Sequence, residues 1–350
     1  MSMSQRLIQA WYKGAWWLWL LWPASWLYRG LRHLSLMFAG PVKANPVPLL
    51  VVGNITLGGT GKTPLVLALV KALTEKGIRT AIISRGYGGR VGQGPHIISA
   101  LDKPEYVGDE PYLLYQQSGV PVAVGSDRHA AMQCLLQDYH LDLIISDDGL
   151  QNRHIKGDIE WLVVDGLRGF GNGQCLPMGP LREPMMRTQQ VDAIFITGPA
   201  GSDLTASAKQ AVEQDVYALQ PRLAGLRQVN NNQPVDWPEQ GAEVHALAGI
   251  GNPQRFFADL QVQGLDIVAT EFSDHHEFSR EDLLPFVGKT LIMTAKDAVK
   301  CKPILAELEA ADNAEPQAWY YAEQQLAMPE AALVDLLAKL QALNLKDSNG

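Results

Sequence analysis

Residues 49–63 read LLVVGNITLGGTGKT, an apolar run that turns through glycines directly into a lysine, a threonine and a helical stretch. Leu49 to Val52 follow two prolines and have the unbroken apolar character of a strand buried on both faces. The stretch PLVLALVKALTEKG beyond Thr63 has helical composition and stops at Gly77. A strand, a glycine turn and a helix in that order aim several backbone N–H groups at one point, and the helix dipole adds to their attraction for phosphate. Gly58, Gly59 and Gly61 let the main chain approach anionic oxygens with no Cβ in between. Lys62 is then placed for the β- and γ-phosphates of a nucleotide and Thr63 for Mg²⁺. The common pattern G-x-x-x-x-G-K-[ST] needs glycine at position 56, where Thr56 stands. The run is closer to the variant K-G-G-x-G-K-[ST], with Leu57 in place of its extra lysine. Thr56, Leu57, Gly58, Gly59, Thr60, Gly61, Lys62 and Thr63 are therefore the expected nucleotide-binding segment.

Further apolar runs follow at strand length: TAIISRG, VPVAVG, LDLIISDD, IEWLVVDG and DAIFITG. Helix-length segments such as EPYLLYQQ and RHAAMQCLLQDY separate them, the alternation of a doubly wound, mostly parallel sheet. A polar stretch at 226–241 reads as a junction. Beyond it a second alternating unit begins at VHALAGIG and ends in the helical tract PEAALVDLLAKLQAL. The expected fold is α/β: a P-loop-type doubly wound sheet, a second, smaller α/β lobe and an N-terminal membrane-associating helix. The corresponding division is 1–40, 41–225 and 226–350. Two lobes of this kind place a ligand in the cleft between them.

The N-terminus differs in character from the rest. The first 45 residues carry Arg6, Lys13, Arg29, Arg32 and Lys43 and no acid, a charge of +5 within a chain of net charge −8. Six of the nine tryptophans also lie there, and five of them crowd the uncharged run GAWWLWLLWPASWLY. That run is shorter than the ~20 residues a perpendicular span needs, and Pro23 interrupts it. Tryptophan favours the headgroup level and flanking bases are drawn to anionic lipid, so an interfacial anchor is expected. The acidic remainder argues against nucleic acid as a partner. Cys134, Cys175 and Cys301 are odd in number and far apart, which gives no disulfide framework and no metal knuckle.

The apolar run LIISDDG ends in Asp147 and Asp148, paired carboxylates at a strand end that suit Mg²⁺ beside a P-loop. Asp165 ends the next strand alone and ranks second. No guanine-reading N-K-x-D is present, so phosphoryl transfer to a small acceptor remains, which requires a base for the incoming hydroxyl. Asp109 in GDEP and the cluster Asp274-His275-His276 are the candidates, with a helix N-cap as the plain alternative for Asp109. A second class of function is a membrane-tethered P-loop switch or partitioning ATPase, which shares the glycine-loop variant.

Several runs in order make the chain resemble the tetraacyldisaccharide 4′-kinases, or lipid A 4′-kinases: VVGNITLGGTGKTP, ISRGYGG, GDEP, SDDGLQ, GNGQCLPMGPLREP, AGIGNPQRFF, a DH loop and TAKDAVKC. The resemblance covers nearly the whole chain. It implies ATP- and Mg²⁺-dependent phosphorylation of the 4′-hydroxyl of an acylated glucosamine disaccharide 1-phosphate, to give lipid IVA. It also implies work on the cytoplasmic face of a Gram-negative inner membrane, with no obligate protein partner evident. Carried over by position, it implies catalytic roles for Lys62, Asp109, Arg182 and His275, and a metal region of Thr63, Asp147, Asp148 and Glu183. Ala295 departs from the glutamate usual in TEKD, which weakens the expectation for Lys296 and Asp297. For the acyl chains, the Trp-rich helix and the loop Arg168-Gly169-Phe170-Gly171 are the candidate surfaces.

Overall fold

A computed structural model describes residues 3–38, 40, 43–92, 94–152, 154–199, 215–274, 276–311 and 317–347. The chain opens with helices α1 (Met3–Lys13) and α2 (Trp22–Met37), joined by a 3₁₀ turn at Trp16–Leu21. Pro23 sits in the first turn of α2, where its missing N–H costs nothing. β1 (Leu49–Gly53) leads through the glycine loop into α3 (Lys62–Glu75). There follow β2 (Thr80–Ser84), β3 (His96–Ile97), α4 (Asp109–Ser118), β4 (Val122–Val124), α5 (Arg128–Asp138), β5 (Leu143–Asp147), β6 (Ile159–Asp165), β7 (Ala193–Thr197) and β8 (Asp215–Leu219). These eight strands form one sheet in the order β3-β4-β2-β5-β1-β6-β7-β8, parallel except for the edge strand β3. Its central strands are buried along their whole length, as their unbroken Val, Ile and Leu runs require.

The second sheet has six strands. β9 (Arg222–Gln228) and β10 (Pro234–Val235) pair antiparallel, and β11 (Glu243–Ala248) is followed by α6 (Pro253–Val262) and β12 (Asp266–Glu271). β13 (Leu291–Thr294), α7 (Ala295–Ala311), β14 (Trp319–Gln325) and α8 (Glu330–Asp347) complete the chain. The order is β10-β9-β14-β13-β11-β12, with β9 antiparallel to β14.

Three details differ from the sequence expectation. The passage between sheets falls at Gln220–Pro221, and residues 222–228, placed by sequence across the junction, are strand β9. Only Leu223 and Leu226 of β9 are buried, three residues apart across a register irregularity with β14, so no period of two appears in the sequence. TAKDAVK, which with the preceding TLIM reads as one strand in sequence, is instead the first two turns of a helix, because Thr294 accepts the Asp297 N–H on its side chain and starts α7. The last helix, grouped by sequence with the second lobe, packs Ala332, Leu333, Leu336 and Leu340 into the first lobe's core beside Leu65, Leu69 and Phe195.

Candidate active site

The loop at the C-terminal end of β1 lies beside Asp147, because β1 and β5 are neighbours with Val52 opposite Asp147. This is the edge of an open parallel sheet where ligands bind. Gly61 caps α3 at φ +85°, and a Cβ there would come 2.8 Å from Thr197 Cγ2, so glycine is required. Asn54, fully buried, holds the loop from inside. Its Nδ2 donates to the carbonyls of Thr56 (2.9 Å) and Gly58 (3.3 Å), and its Oδ1 accepts from Lys62 Nζ at 3.1 Å. The opposite limb is zipped to residues 180–182: Leu57 N–H donates to Pro180 O, Arg182 N–H donates to Ile55 O, and Thr56 bridges Leu181. Thr63 is the second residue of α3 and half-buried.

Lys62 Nζ also stands 3.4 Å from Asp148 Oδ1, and Arg182 Nη1 lies 3.3 Å from Asp148 Oδ2. Burial works to raise Asp148, but these two cations overcome it and hold its carboxyl below the usual range. Asp147 has no such partner. Burial, and then the negative charge of Glu110, push its carboxyl up to about 7. Arg128, buried beneath, donates to the Asp147 carbonyl at 3.2 Å rather than to its carboxylate. Asp147 Oδ1 is buried without a hydrogen bond, and so are the hydroxyls of Thr60 and Thr197 beside the loop.

The second lobe supplies lysines on one face of α7, four residues apart. Lys296 Nζ is 2.9 Å from Glu110 Oε1 and 3.8 Å from Asp274 Oδ1; Lys300 Nζ is 3.8 Å from Asp109 Oδ2 and 3.5 Å from Asp297 Oδ1. Burial works against the Lys296 charge, yet Glu110 and Asp274 raise its pKa above the ordinary lysine value. Asp297 is fully buried and accepts from the Gly249 N–H and the Thr294 hydroxyl. Asp109 itself opens α4 behind Gly108 and is not its N-cap, so the plain alternative for that residue is not realised. Lys296 thus links the GDEP carboxylates to the DH loop across the cleft. His275 lies outside the described residues; His276 pairs with Asp282 at 3.1 Å, and its carbonyl accepts from Lys300.

Glu183, assigned by resemblance to the metal, is placed differently. Its Oε2 takes Arg32 of α2 at 3.0 Å and Arg187 at 3.6 Å, and its Oε1 accepts from Gln151 at 2.7 Å. Two arginines and an amide already compensate this carboxylate's charge, whereas Asp147 Oδ1 is buried without a hydrogen bond. Asp165 accepts the Leu167 and Arg168 N–H groups and shapes the following turn. Phe170 of that turn is buried in the core and not offered to acyl chains, whereas Leu167, just before it, is exposed. Among the described residues, no three His, Cys, Asp or Glu side chains converge as a cation cage. Mg²⁺ commonly binds through one or two carboxylates with phosphate and water, which such a site can provide.

The N-terminal helices dock on the same segment. Ser25 Oγ donates to Cys175 O and accepts the Met178 N–H; Tyr28 donates to Arg182 O; Trp11 donates to Pro177 O. A cavity of about 250 Å³ remains between α2 and the segments bearing Gln151 and Arg182, lined by these two residues with Tyr28, Arg32 and Leu36.

Asn54, Glu110, Gln151, Lys296 and Lys300 are the residues that sequence reasoning missed or discounted. For the two lysines a signal existed, their i, i+4 spacing in TAKDAVK.

A parallel sheet whose first strand runs through a glycine cradle into a lysine-bearing helix, with acids on the adjoining strand, defines a P-loop nucleotide-binding α/β protein. The family model described as LpxK, tetraacyldisaccharide-1-P 4′-kinase, matches residues 17–341. The chain belongs to this family of kinases. A tetraacyldisaccharide 4′-kinase of Pseudomonas fluorescens SBW25 is 42% identical over 333 residues, 94% of either chain. One of Azotobacter vinelandii is 40% identical over 348 residues, 97% of this chain and 99% of the relative. The crystal structure of LpxK from Aquifex aeolicus in complex with ATP superposes with a TM-score of 0.73 at 25% identity, covering 92% of this chain and 99% of that one.

Proposed function

We propose that this chain transfers the γ-phosphoryl group of ATP to the 4′-hydroxyl of a tetra-acylated glucosamine disaccharide 1-phosphate, with the residues of the cleft in the following roles. Main-chain N–H groups of residues 58–63 hold the phosphates, and Lys62 neutralises charge on the transferring group. Asp109 takes the hydroxyl proton as the sugar oxygen attacks phosphorus and the bond to the β-phosphate oxygen breaks. Lys296 and Lys300 hold the GDEP carboxylates and Asp274 in one place, and His275 is proposed as the partner of Asp109. Arg182 keeps Asp148 oriented toward Lys62. When bound with ATP, Mg²⁺ offsets charge on the β- and γ-phosphates; Asp147, Asp148 and Thr63 are the donors that suit it. The observation that carries this assignment is the placement of Asp109 and Glu110, on the same lobe as Lys62, against Lys300 and Lys296 of the second lobe across the cleft.

We further infer that the N-terminal segment seats the enzyme on the cytoplasmic face of the inner membrane. No described helix is long and apolar enough to cross a membrane. Trp16, Trp19 and Phe38 are 78%, 65% and 85% exposed, beside Trp22, Trp26, Leu27 and Leu31. Such a surface with basic neighbours suits partial burial in anionic lipid. The cavity beside Arg32 and Arg182 adjoins this surface and supports entry of the sugar from the lipid side.

The test follows label from γ-labelled ATP. Recovery in a lipid-extractable product that requires the disaccharide acceptor is expected. Release only as free phosphate would favour the switch ATPase and overturn the assignment.

A further inference from the structure

The turn after β6 brings a cation to the phosphate loop from an unexpected direction. Asp165 fixes this turn, accepting the N–H groups of Leu167 and Arg168 on Oδ1 at 2.9 and 3.0 Å and that of Gly169 on its main-chain oxygen at 2.8 Å. The Arg168 side chain leaves the turn toward Gly58. A Cβ built on Gly58, which has φ +98°, would stand 3.2 Å from Arg168 Nη1. Arg168 Nη2 donates to the carbonyl of Gly251 in the second lobe, and its guanidinium carbon lies 5.8 Å from the centre of the Tyr12 ring of α1. Gly251 itself rides on the cradle, where a Cβ would come 2.7 Å from the Gly59 nitrogen.

Among the described residues no carboxylate pairs with Arg168. A half-buried guanidinium that has only a carbonyl and a ring for company is an uncompensated charge, and buried charges are ordinarily paired. Here it adjoins a loop built to receive an anion. The sequence adds an independent reason. The glycine-loop variant closest to this one carries an extra lysine at position 57, and this chain has Leu57. Leu57 packs with Leu18 and Met178 under the N-terminal helices. The near limb of the loop therefore lacks a cation of its own, and Arg168 brings one from another element.

We propose that Arg168 is a catalytic residue, a guanidinium supplied within the same chain that stabilises charge on the transferring phosphoryl group. The proposal rests on the assignment of residues 58–63 as the phosphate cradle. An arginine in this role acts on the transition state more than on the bound nucleotide. Its hydrogen bond to Gly251 makes the position of the second lobe a condition for the guanidinium's approach, so closure of the cleft and completion of the charge set coincide.

The experiment uses the full chain in detergent with dispersed acceptor. Arg168→Ala should lower kcat at least about 100-fold. Its affinity for ADP should stay within about threefold of wild type, while affinity for ADP with aluminium fluoride, a mimic of the transferring group, should fall at least about tenfold. Millimolar guanidinium should restore part of the Arg168→Ala turnover and none of the Lys62→Ala turnover. Equal losses for ADP and its aluminium fluoride complex would mean that Arg168 merely packs the loop, and near-normal kcat would mean that its charge is unused; either overturns the proposal. Should Arg168→Ala fail to fold, Arg168→Lys supplies the same comparison, with a smaller loss in kcat and the same preference for the mimic. Wild-type label in lipid checks the parent assignment separately, and its absence would remove both.

Discussion

Adjacent carboxyls at the end of β5 are driven in opposite directions by the fold, Asp147 up to about 7 and Asp148 below its ordinary value. Between the ordinary 3.8 and about 7 the unfolded chain releases a proton that folded Asp147 retains. Stability therefore falls as pH rises through that window and levels off above it. Asp147→Asn removes the penalty. In metal-free buffer its melting temperature should exceed wild type at pH 8 and match it at pH 4; equal shifts at both would show that Asp147 does not titrate this way. Lys62→Ala should lower kcat at least about 100-fold, since its amine serves the phosphates, and should also lower the melting temperature modestly, because it leaves Asn54 Oδ1 and Asp148 without their shared cation. Asp109→Asn should abolish most turnover with ATP affinity held within about threefold, because its proposed partner is the acceptor hydroxyl. Lys62 and the Asp147-Asp148 pair were legible in the sequence because each belongs to a contiguous motif. Gln151 and the phosphate-loop role of Arg168 were not, because their partners Glu183 and Gly251 lie across folded loops; Asn54 bonds Thr56, Gly58 and Lys62 nearby, but the motif itself does not announce an asparagine there.

The N-terminal helices show the same division at the scale of an element. Six tryptophans among bases are visible in the composition, yet which of them face inward depends on a 3₁₀ turn that breaks the helical period between α1 and α2. Trp11 and Leu18 are buried against Met178, while Trp16, Trp19 and Trp26 face out. The two groups should separate experimentally. Replacing Trp16, Trp19 and Trp26 together with serine should abolish sedimentation with anionic vesicles and leave the melting temperature unchanged. Trp11→Ala should cost about 3–5 kcal/mol, seen in denaturant unfolding, with the exposed face intact. If the triple variant still bound vesicles fully, the proposed membrane seat would lie elsewhere. Removing the segment outright is a poorer test, because the Ser25, Tyr28 and Arg32 contacts would leave the 175–183 loop unsupported.

At the scale of the whole molecule, the alternation of strands and helices was enough to read two α/β lobes. The path between them was less legible. A leucine-rich amphipathic tract says that α8 packs against something, and nothing in its own residues says against which sheet. Leu336 is fully buried in the first lobe's core, so Leu336→Ala should destabilise that lobe by about 2–5 kcal/mol. Hydrogen exchange should then quicken in α3 and β1 rather than in β11 and β13; the reverse pattern would place α8 with the second lobe.

Because α8 returns to the first lobe, the backbone crosses between the lobes twice, once at Gln220–Pro221 and again at 326–329. A body tethered at a single point can swivel and tumble, but one held at two can only turn about the line that joins them. The second lobe is thereby left one principal degree of freedom relative to the first. Turning about that line moves Lys296, Lys300 and Gly251 together, since all three belong to the second lobe, the lysines on α7 and Gly251 beyond β11. A cut in one tether would leave both lobes folded and their surfaces intact, yet would let these three groups arrive at the phosphate loop out of step.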